Sequence, residues 1–135
     1  ITYHGPGQLV GYPILDLHAF GLGIRQYVHL IEEAIIASLQ EYGIEAARLE
    51  GAPGIWVAQE RKICALGVRA SRGITMHGFA LNANTDLAYF GYIHPCGLED
   101  KGVTSIEKEL GRPVNVQDLK GLVKQKFVQM FGMAI

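Results

Sequence analysis

The sequence predicts one α/β domain in which helices flank a mixed sheet. Three observations support this fold class. Short β-type runs separated by turns occupy much of the first two thirds of the chain, a long amphipathic pattern lies among them, and a second helical pattern follows Asn115. The chain has 135 residues with 49% hydrophobic and 19% charged residues, and it carries no internal repeat or linker, so one core and one domain are expected.

The first element is predicted to be a strand. Gly5, Pro6 and Gly7 form a turn signal, and the apolar run from Leu9 to Leu17 that follows them is typical of a buried strand.

The next element is a helix from Arg25 to Tyr42. Apolar residues recur every three or four positions there and define one helical face, and Gly43 suits the position just past the end. The residues of this face are Val28, Ile31, Ile35 and Leu39.

Three sequence-adjacent strands are expected next. The runs Ile55 to Ala58 and Lys62 to Arg69 are separated by Gln59, Glu60 and Arg61, a length typical of hairpins, and strand character resumes from Ile74 to Asn84. Antiparallel pairing of these neighbours would place Lys62 near the hairpin turn and at a sheet edge.

Two helices complete the chain. Thr104 and Glu107 have capping-box spacing for a short helix that ends at Gly111, and Asn115 can cap a last helix with Gly132 past its end. The apolar face of this last helix comprises Leu119, Leu122, Val123, Phe127 and Met130.

Charge and composition argue against several classes of function. Twelve basic against thirteen acidic residues give a formal net charge of -1, so no chain-wide basic field favours nucleic acid or an anionic membrane. Apolar runs are far shorter than the roughly 20 residues needed to cross a bilayer. Two cysteines without a disulfide pattern suit a reducing compartment, so a cytoplasmic protein is expected.

Signals for bound metals and nucleotides are absent from the sequence. The five histidines are scattered, and Cys64 and Cys96 are not a pair two to four residues apart, so no metal site is predicted. There is no phosphate-binding GxxxxGK[ST] loop, and the glycines near Gly21 and Gly23 lack dinucleotide-fingerprint spacing. No cofactor is expected.

Cys96 and Lys62 are the candidate chemical groups. Pro95 and Gly97 bracket Cys96 and can present a thiol at a loop tip, but a cysteine considered alone is more often a buried apolar residue. Lys62 considered alone is more often a solvated lysine beside a turn. Residue context therefore leaves both assignments open.

Several motifs in order carry a family resemblance. The segments TYHGPGQLVGYPI, GIWV, KICALGVR, TMHGFALN and HPCG, followed by VTS, resemble the lipoate-protein ligase B family of octanoyl-acyl carrier protein:protein N-octanoyltransferases. The resemblance implies the catalytic fold of biotin and lipoate protein ligases. Because that family carries an Arg-Gly-Gly stretch just before TYHGPGQ, and the first residue here is Ile1, we expect this chain to be the family domain truncated at its N-terminus.

The resemblance also implies residue roles. Cys96 of the PCG motif would hold the acyl group as a thioester, and Lys62, which opens the KIxxLG motif, would lower the pKa of that thiol and transfer protons. Cys64, inside KICALG, is interpreted as packing. Leu66, Phe79 and Ala80 can line a slot for an eight-carbon chain. The substrate-binding residues that the motifs indicate are Ile1, Thr2, Tyr3, His4, Ala65, Leu66, Gly67, Gly78, Phe79 and Ala80.

The implied reaction is an acyl transfer in lipoate biosynthesis. The donor would be octanoyl-acyl carrier protein, and the acceptors would be lysines of the lipoyl domains of 2-oxoacid dehydrogenases and of the glycine cleavage H protein. Backbone N–H groups near Cys96, Gly67 or Gly78 are candidate donors to the oxyanion of the tetrahedral intermediate. Forming an amide from a thioester is downhill, so the resemblance implies no ATP.

Three alternatives stay open at this point. An ATP-dependent lipoate or biotin-type ligase would carry the acyl group as an adenylate, and an inactive scaffold would bind lipoyl domains without any adduct on Cys96. A cysteine–histidine hydrolase would require a histidine paired with the thiol. His4, His77 and His94 lie in or near the motifs, but nothing in the sequence specifies that pairing.

Overall fold

The computed structural model describes residues 6–11, 23–67, 70–71, 74–75, 78–87 and 102–134. Within these ranges the elements, in chain order, are β1 (Gln8–Gly11), α1 (Ile24–Glu41), β2 (Ala46–Leu49), β3 (Ala52–Val57), β4 (Arg61–Leu66), β5 (Ala70–Ser71), β6 (Ile74–Thr75), β7 (Phe79–Asn82), β8 (Gly102–Val103), α2 (Ile106–Leu110) and α3 (Val116–Ala134). Within the described ranges, no helix is both long enough and apolar enough to cross a membrane.

The main sheet is mixed, as predicted. Its strands follow the order β1-β7-β4-β3-β2 with antiparallel neighbours, and β8 adds a parallel pair to β4. The strand that carries Lys62 is therefore interior, and Lys62 lies between Trp56 on β3 and Val103 on β8. The expectation of a sheet edge is wrong because β8, about forty residues later in the chain, covers that side of Lys62.

The β3–β4 hairpin is confirmed with a shift of one residue. Its turn comprises Ala58 to Glu60, and Glu60 N–H donates to Val57 O at 3.2 Å. Ala58 and Gln59 have φ values of 56° and 62°, the positive φ at both central positions that matches the twist of a tight hairpin. Lys62 lies near this turn, as predicted.

The predicted third run is not one strand. Ile74–Thr75 pairs with Ala70–Ser71 in a separate two-stranded ladder, and only Phe79–Asn82 joins the main sheet beside β4. In the first run, Pro6 and Gly7 form the predicted turn and Gln8–Gly11 form β1, whereas residues 12–17 lie outside the described ranges.

Helix α1 agrees with the prediction within one residue at each end. Its C-terminal carbonyls are satisfied locally, because Gly43 N–H donates to Gln40 O at 2.9 Å and Ile44 N–H donates to Leu39 O at 3.0 Å. Gly43 has a φ of 78°, which a residue without Cβ adopts at no steric cost.

The two C-terminal helices depart from the prediction at two positions. Ser105, not Thr104, caps α2, with its Oγ accepting from Lys108 N–H at 3.1 Å, and Gly111 ends that helix in the left-handed region as expected. Asn115 caps α3 as expected, accepting from Asp118 N–H at 3.0 Å. Gly132 does not end α3, which continues to Ala134, because glycine permits a left-handed C-cap but does not impose one.

The core lies between the sheet and the pair formed by α1 and α3. Phe79 of β7 stacks on Phe127 of α3 with ring centroids 6.2 Å apart, and Tyr27 of α1 meets Phe131 at 5.7 Å. Fully buried core residues from every layer include Ile31, Ile35, Leu39, Ile55, Ile63, Cys64, Leu81 and Leu119.

Candidate active site

The two internal triplets that the sequence predicts to bind substrate lie side by side. Ala65 pairs with Ala80 and Leu66 pairs with Phe79 across β4 and β7, and Gly67 N–H donates to Gly78 O at 2.9 Å. Residues eleven to fifteen positions apart in the sequence therefore form one continuous patch of sheet. The N–H of Gly67 is already engaged in this bond, so it is not free to stabilise an oxyanion.

The pairing divides these residues between two faces of the sheet. Directly opposed residues of antiparallel strands point to the same face, so Leu66 shares a face with Phe79, which packs on α3, and we call this the helix face. Ala65 and Ala80 point to the opposite face. Leu66 and Phe79 thus do not share one face with Ala80, and a single slot cannot be lined by all three side chains.

A β-bulge sets the orientation of Lys62. Ile55 pairs with Cys64, but the next residue, Trp56, pairs with Lys62, so β4 has one extra residue at Ile63. Ile63 and Cys64 are both buried in the core. Strict alternation would place Lys62 on the helix face with Cys64, whereas the bulge turns it to the opposite face, where it meets Trp56.

Trp56 and Gly54 surround the Lys62 side chain. The Lys62 Nζ lies 5.9 Å from the centroid of the Trp56 ring. A Cβ placed on Gly54 would lie 2.6 Å from Lys62 Cε and 2.6 Å from the Cys64 carbonyl oxygen, so no side chain fits there. Gly54 also has a φ of 102°, a conformation suited to glycine.

The segment from Gly102 to Thr104 is fixed beside Lys62. Thr104 N–H donates to Lys62 O at 2.9 Å, Gly102 N–H donates to Glu60 O at 2.9 Å, and Asn82 Nδ2 donates to Thr104 O at 3.1 Å. The VTS motif that the sequence singled out therefore anchors β8 across β4 and β7.

A partly buried ion pair strengthens this anchor. Arg61 donates to both oxygens of Glu109, from Nε at 3.1 Å and from Nη2 at 3.2 Å, and Thr104 Oγ1 donates to Glu109 Oε2 at 2.5 Å. Burial of the Glu109 carboxyl raises its pKa, but the hydrogen bonds from Arg61 and Thr104 and the Arg61 charge outweigh burial and lower the pKa below its ordinary value of 4.5.

Cys64 has the packing role expected from its sequence. Its side chain is fully buried in the core, and burial raises the pKa of the thiol strongly, against a smaller lowering by the Lys62 charge. A thiol held in its neutral form in an apolar core is a poor nucleophile.

The remaining predicted site residues lie outside the described ranges. These residues are Cys96, the N-terminal Ile1, Thr2, Tyr3 and His4, and the motif histidines His77 and His94. Within the described part of the chain, no group of three potential metal-ligating side chains is assembled.

Sequence reasoning missed three contributors to the surroundings of Lys62. Gly54 and Trp56 stand in the quoted GIWV motif and Thr104 stands in VTS, but none of them was assigned a role beside Lys62. Their place beside Lys62 could not be predicted from the sequence, because each of them reaches Lys62 from a neighbouring strand and not from a neighbouring position in the chain.

Comparison with curated proteins gives close relatives. The chain is 60% identical over 124 residues to an octanoyltransferase of Bacteroides fragilis (strain YCH46), a match of 89% of this chain and 56% of that protein. It is 53% identical over 137 residues to an octanoyltransferase of Parabacteroides distasonis, with 98% of this chain and 62% of that protein covered. The chain thus spans about three fifths of the length of these relatives.

Comparison with solved structures and family models identifies the fold and the family. Biotin protein ligase from Aquifex aeolicus superposes with a TM-score of 0.73 at 16% identity, over 94% of this chain and 54% of that one. Lipoate-protein ligase A bound with ATP gives 0.65 at 18% identity, over 82% and 47%. These likenesses confirm the predicted biotin and lipoate protein ligase fold. The lipoyl protein ligase A/B catalytic domain model matches residues 1–128, and the chain belongs to that family.

Proposed function

We propose that this chain transfers an octanoyl group from acyl carrier protein to the lysine of a lipoyl domain, with Cys96 as acyl carrier and Lys62 as its proton partner. The observation that carries the proposal is the β4–β7 pairing, which joins the KICALG and HGFALN motifs in one patch next to Lys62. Relatives that are 50–60% identical bear the name octanoyltransferase, which supports the same reaction here.

The proposed chemistry balances without a further reactant. The Cys96 thiolate attacks the octanoyl carbonyl, the bond to the carrier's sulfur breaks, and that sulfur leaves as a thiolate that takes up a proton. The lysine amine of the lipoyl domain then attacks the Cys96 thioester, loses a proton through Lys62, and releases the Cys96 thiolate. An amide replaces a thioester.

The path of the chain supports contact between Cys96 and Lys62. Val103 lies directly beside Lys62 in the parallel β4–β8 pair, and Cys96 precedes Val103 by seven positions. Seven extended residues reach at most about 25 Å, so the chain limits Cys96 to that distance from Val103, which is the strand neighbour of Lys62. An ammonium close to a thiol lowers the thiol pKa from its ordinary value of about 8.5 and increases the thiolate fraction at neutral pH.

Small residues support acyl binding on the opposite face of the sheet. Ala65 and Ala80 form a cross-strand pair there, and Val10 of β1 lies beside Ala80. We propose that an octanoyl chain packs on these small side chains, while Leu66 and Phe79 support the sheet from the helix face.

ATP-dependent ligation is the less favoured of the possible functions. The ligase structures share 16–18% identity with this chain, which supports a common fold alone, whereas the relatives named octanoyltransferase share at least half of the aligned residues. A cytoplasmic location is part of the proposal, since a reactive thiol at Cys96 and the free thiol of Cys64 both suit a reducing compartment.

Mass spectrometry of the intact chain tests this function. Incubation with octanoyl-acyl carrier protein is expected to add one octanoyl group that hydroxylamine removes, and later addition of a lipoyl domain is expected to transfer the group without ATP. Cys96→Ser should abolish the adduct, and Cys64→Ala is the matched control that should keep it. Octanoyl transfer that requires ATP, or an adduct that persists in Cys96→Ser, would refute the proposal.

A further inference from the structure

The GIWV segment on β3 packs around the Lys62 side chain. Trp56 is only 2% exposed, and its indole N–H is shared between two carbonyl oxygens of its own strand, Ala52 O at 3.3 Å and Pro53 O at 3.2 Å. Because the ring is buried and its N–H is hydrogen-bonded, its orientation toward the Lys62 side chain is fixed.

We propose that Trp56 is a positioning residue, which holds the Lys62 ammonium over its ring and so keeps it in one place for the acyl-transfer step. This inference rests on the proposed function, because it assigns the work of Trp56 to the acyl-transfer step. The bulge at Ile63 turns Lys62 to this face, and Trp56 then fixes where the ammonium lies.

The choice of an aromatic partner has a chemical consequence. The distance of 5.9 Å is within the range of about 6 Å for a cation–π interaction. In the described part of the chain, no carboxylate is found in an ion pair with Lys62 Nζ. A carboxylate would cancel the lysine charge, whereas an aromatic ring carries no net charge and leaves the ammonium able to stabilise a thiolate.

Gly54 completes this arrangement by leaving space. Lys62 Cε occupies the volume that a Cβ on residue 54 would fill. Gly51 in the same β2–β3 hairpin has a similar positive φ of 79°, but a Cβ there would meet nothing within 4 Å. Both glycines share the backbone strain of a positive φ, whereas only a Cβ on Gly54 would also clash with Lys62 Cε and with the Cys64 carbonyl oxygen.

A double-mutant cycle on the full chain tests the role of Trp56. The readouts are the rate of Cys96 alkylation by iodoacetamide, located by peptide mass mapping, and kcat and KM for octanoyl transfer. Trp56→Phe is expected to slow alkylation about threefold and Trp56→Leu about tenfold, with kcat falling and KM unchanged. In a Lys62→Ala background neither substitution should slow alkylation further, because Trp56 would act only through Lys62.

The glycine pair gives an independent test if the tryptophan variants fail to fold. Gly54→Ala is expected to slow Cys96 alkylation about tenfold, whereas Gly51→Ala is expected to leave it within twofold of the wild-type rate. Thermal unfolding of both variants measures the strain that they have in common. Equal alkylation rates in the two variants would overturn the inference.

The outcomes separate this inference from the proposed function. If Lys62→Ala leaves alkylation and transfer unchanged, the proposed role of Lys62 fails, and the inference fails with it. If Lys62→Ala slows both but Trp56→Phe and Trp56→Leu match the wild type, only the positioning role is refuted. Tryptophan effects of the same size with and without Lys62 would also refute it, because they would show a purely structural role.

Discussion

The two faces of the β4–β7 pair are held by different interactions. On the helix face, Cys64 and Leu81 are fully buried and Phe79 stacks on Phe127, so apolar burial dominates. On the opposite face, Gln8 Nε2 donates to Asn82 Oδ1 at 2.9 Å, and Asn82 in turn donates to Thr104 O. We therefore expect truncation of the core side chains on the helix face to reduce stability, whereas removal of the partly exposed Lys62 side chain should reduce activity with little loss of stability.

The largest effect is expected from Lys62→Ala. Removing the proposed proton-transfer group should lower kcat for octanoyl transfer by at least about 100-fold, while the midpoint of thermal unfolding changes little. Lys124→Ala, which removes an exposed lysine of α3, is the matched control and should retain activity. A Lys62→Ala chain that unfolds as readily as a core variant would break the division between the two faces.

The second effect concerns stability. Leu81→Ala removes a fully buried side chain from the helix face and should lower the free energy of unfolding by about 2–5 kcal/mol, measured by urea denaturation. Val128→Ala, at a position that is 66% exposed, should cost less than about 0.5 kcal/mol. Equal losses in the two variants would contradict the placement of the core.

Local signals in the sequence predicted most of the elements and failed where distant strands decide. The period of α1, the cap at Asn115 and the stop at Gly111 depend on residues within one or two turns, and the structure confirms all three. The bulge at Ile63 and the pairing of β8 depend on partners far along the chain, so neither was predicted.

The same reason limits what could be predicted of the site. The motifs predicted roles for Lys62 and for the two internal triplets, and the register of β4 and β7 shows that the triplets are neighbours. Two features could not be predicted, because both depend on cross-strand pairing. Leu66 and Ala80 lie on opposite faces of the sheet, and Gly54 leaves space for the Lys62 side chain.

The third effect depends on pH. The pKa of Glu109 is lower in the folded chain than its ordinary value of 4.5, so its contribution is complete above that pH and is lost as the pH falls through the folded-state value. Glu109→Gln should cost about 1–2 kcal/mol at neutral pH and make stability less dependent on pH in the acid range. Urea denaturation between pH 7 and the acid limit measures this, with exposed Glu50→Gln as control. An unchanged pH dependence in Glu109→Gln would rule out this anchor.

The smallest effect is expected at the cap of α3. Asn115→Ala removes the side-chain acceptor for Asp118 N–H and should lower the free energy of unfolding by about 1 kcal/mol without affecting kcat. Asn115→Ser keeps an acceptor and should restore most of the loss. A fall in kcat for Asn115→Ala in a folded chain would show that α3 contributes to the site and not only to the core.

The proposed pairing of Lys62 with Cys96 is best tested by a crystal structure of the reduced chain, through the distance from Lys62 Nζ to Cys96 Sγ. We expect these atoms to lie within about 4–6 Å of each other, on the face of the sheet that carries Trp56. A Cys96 thiol on the helix face, or one separated from Lys62 by the sheet, would contradict it.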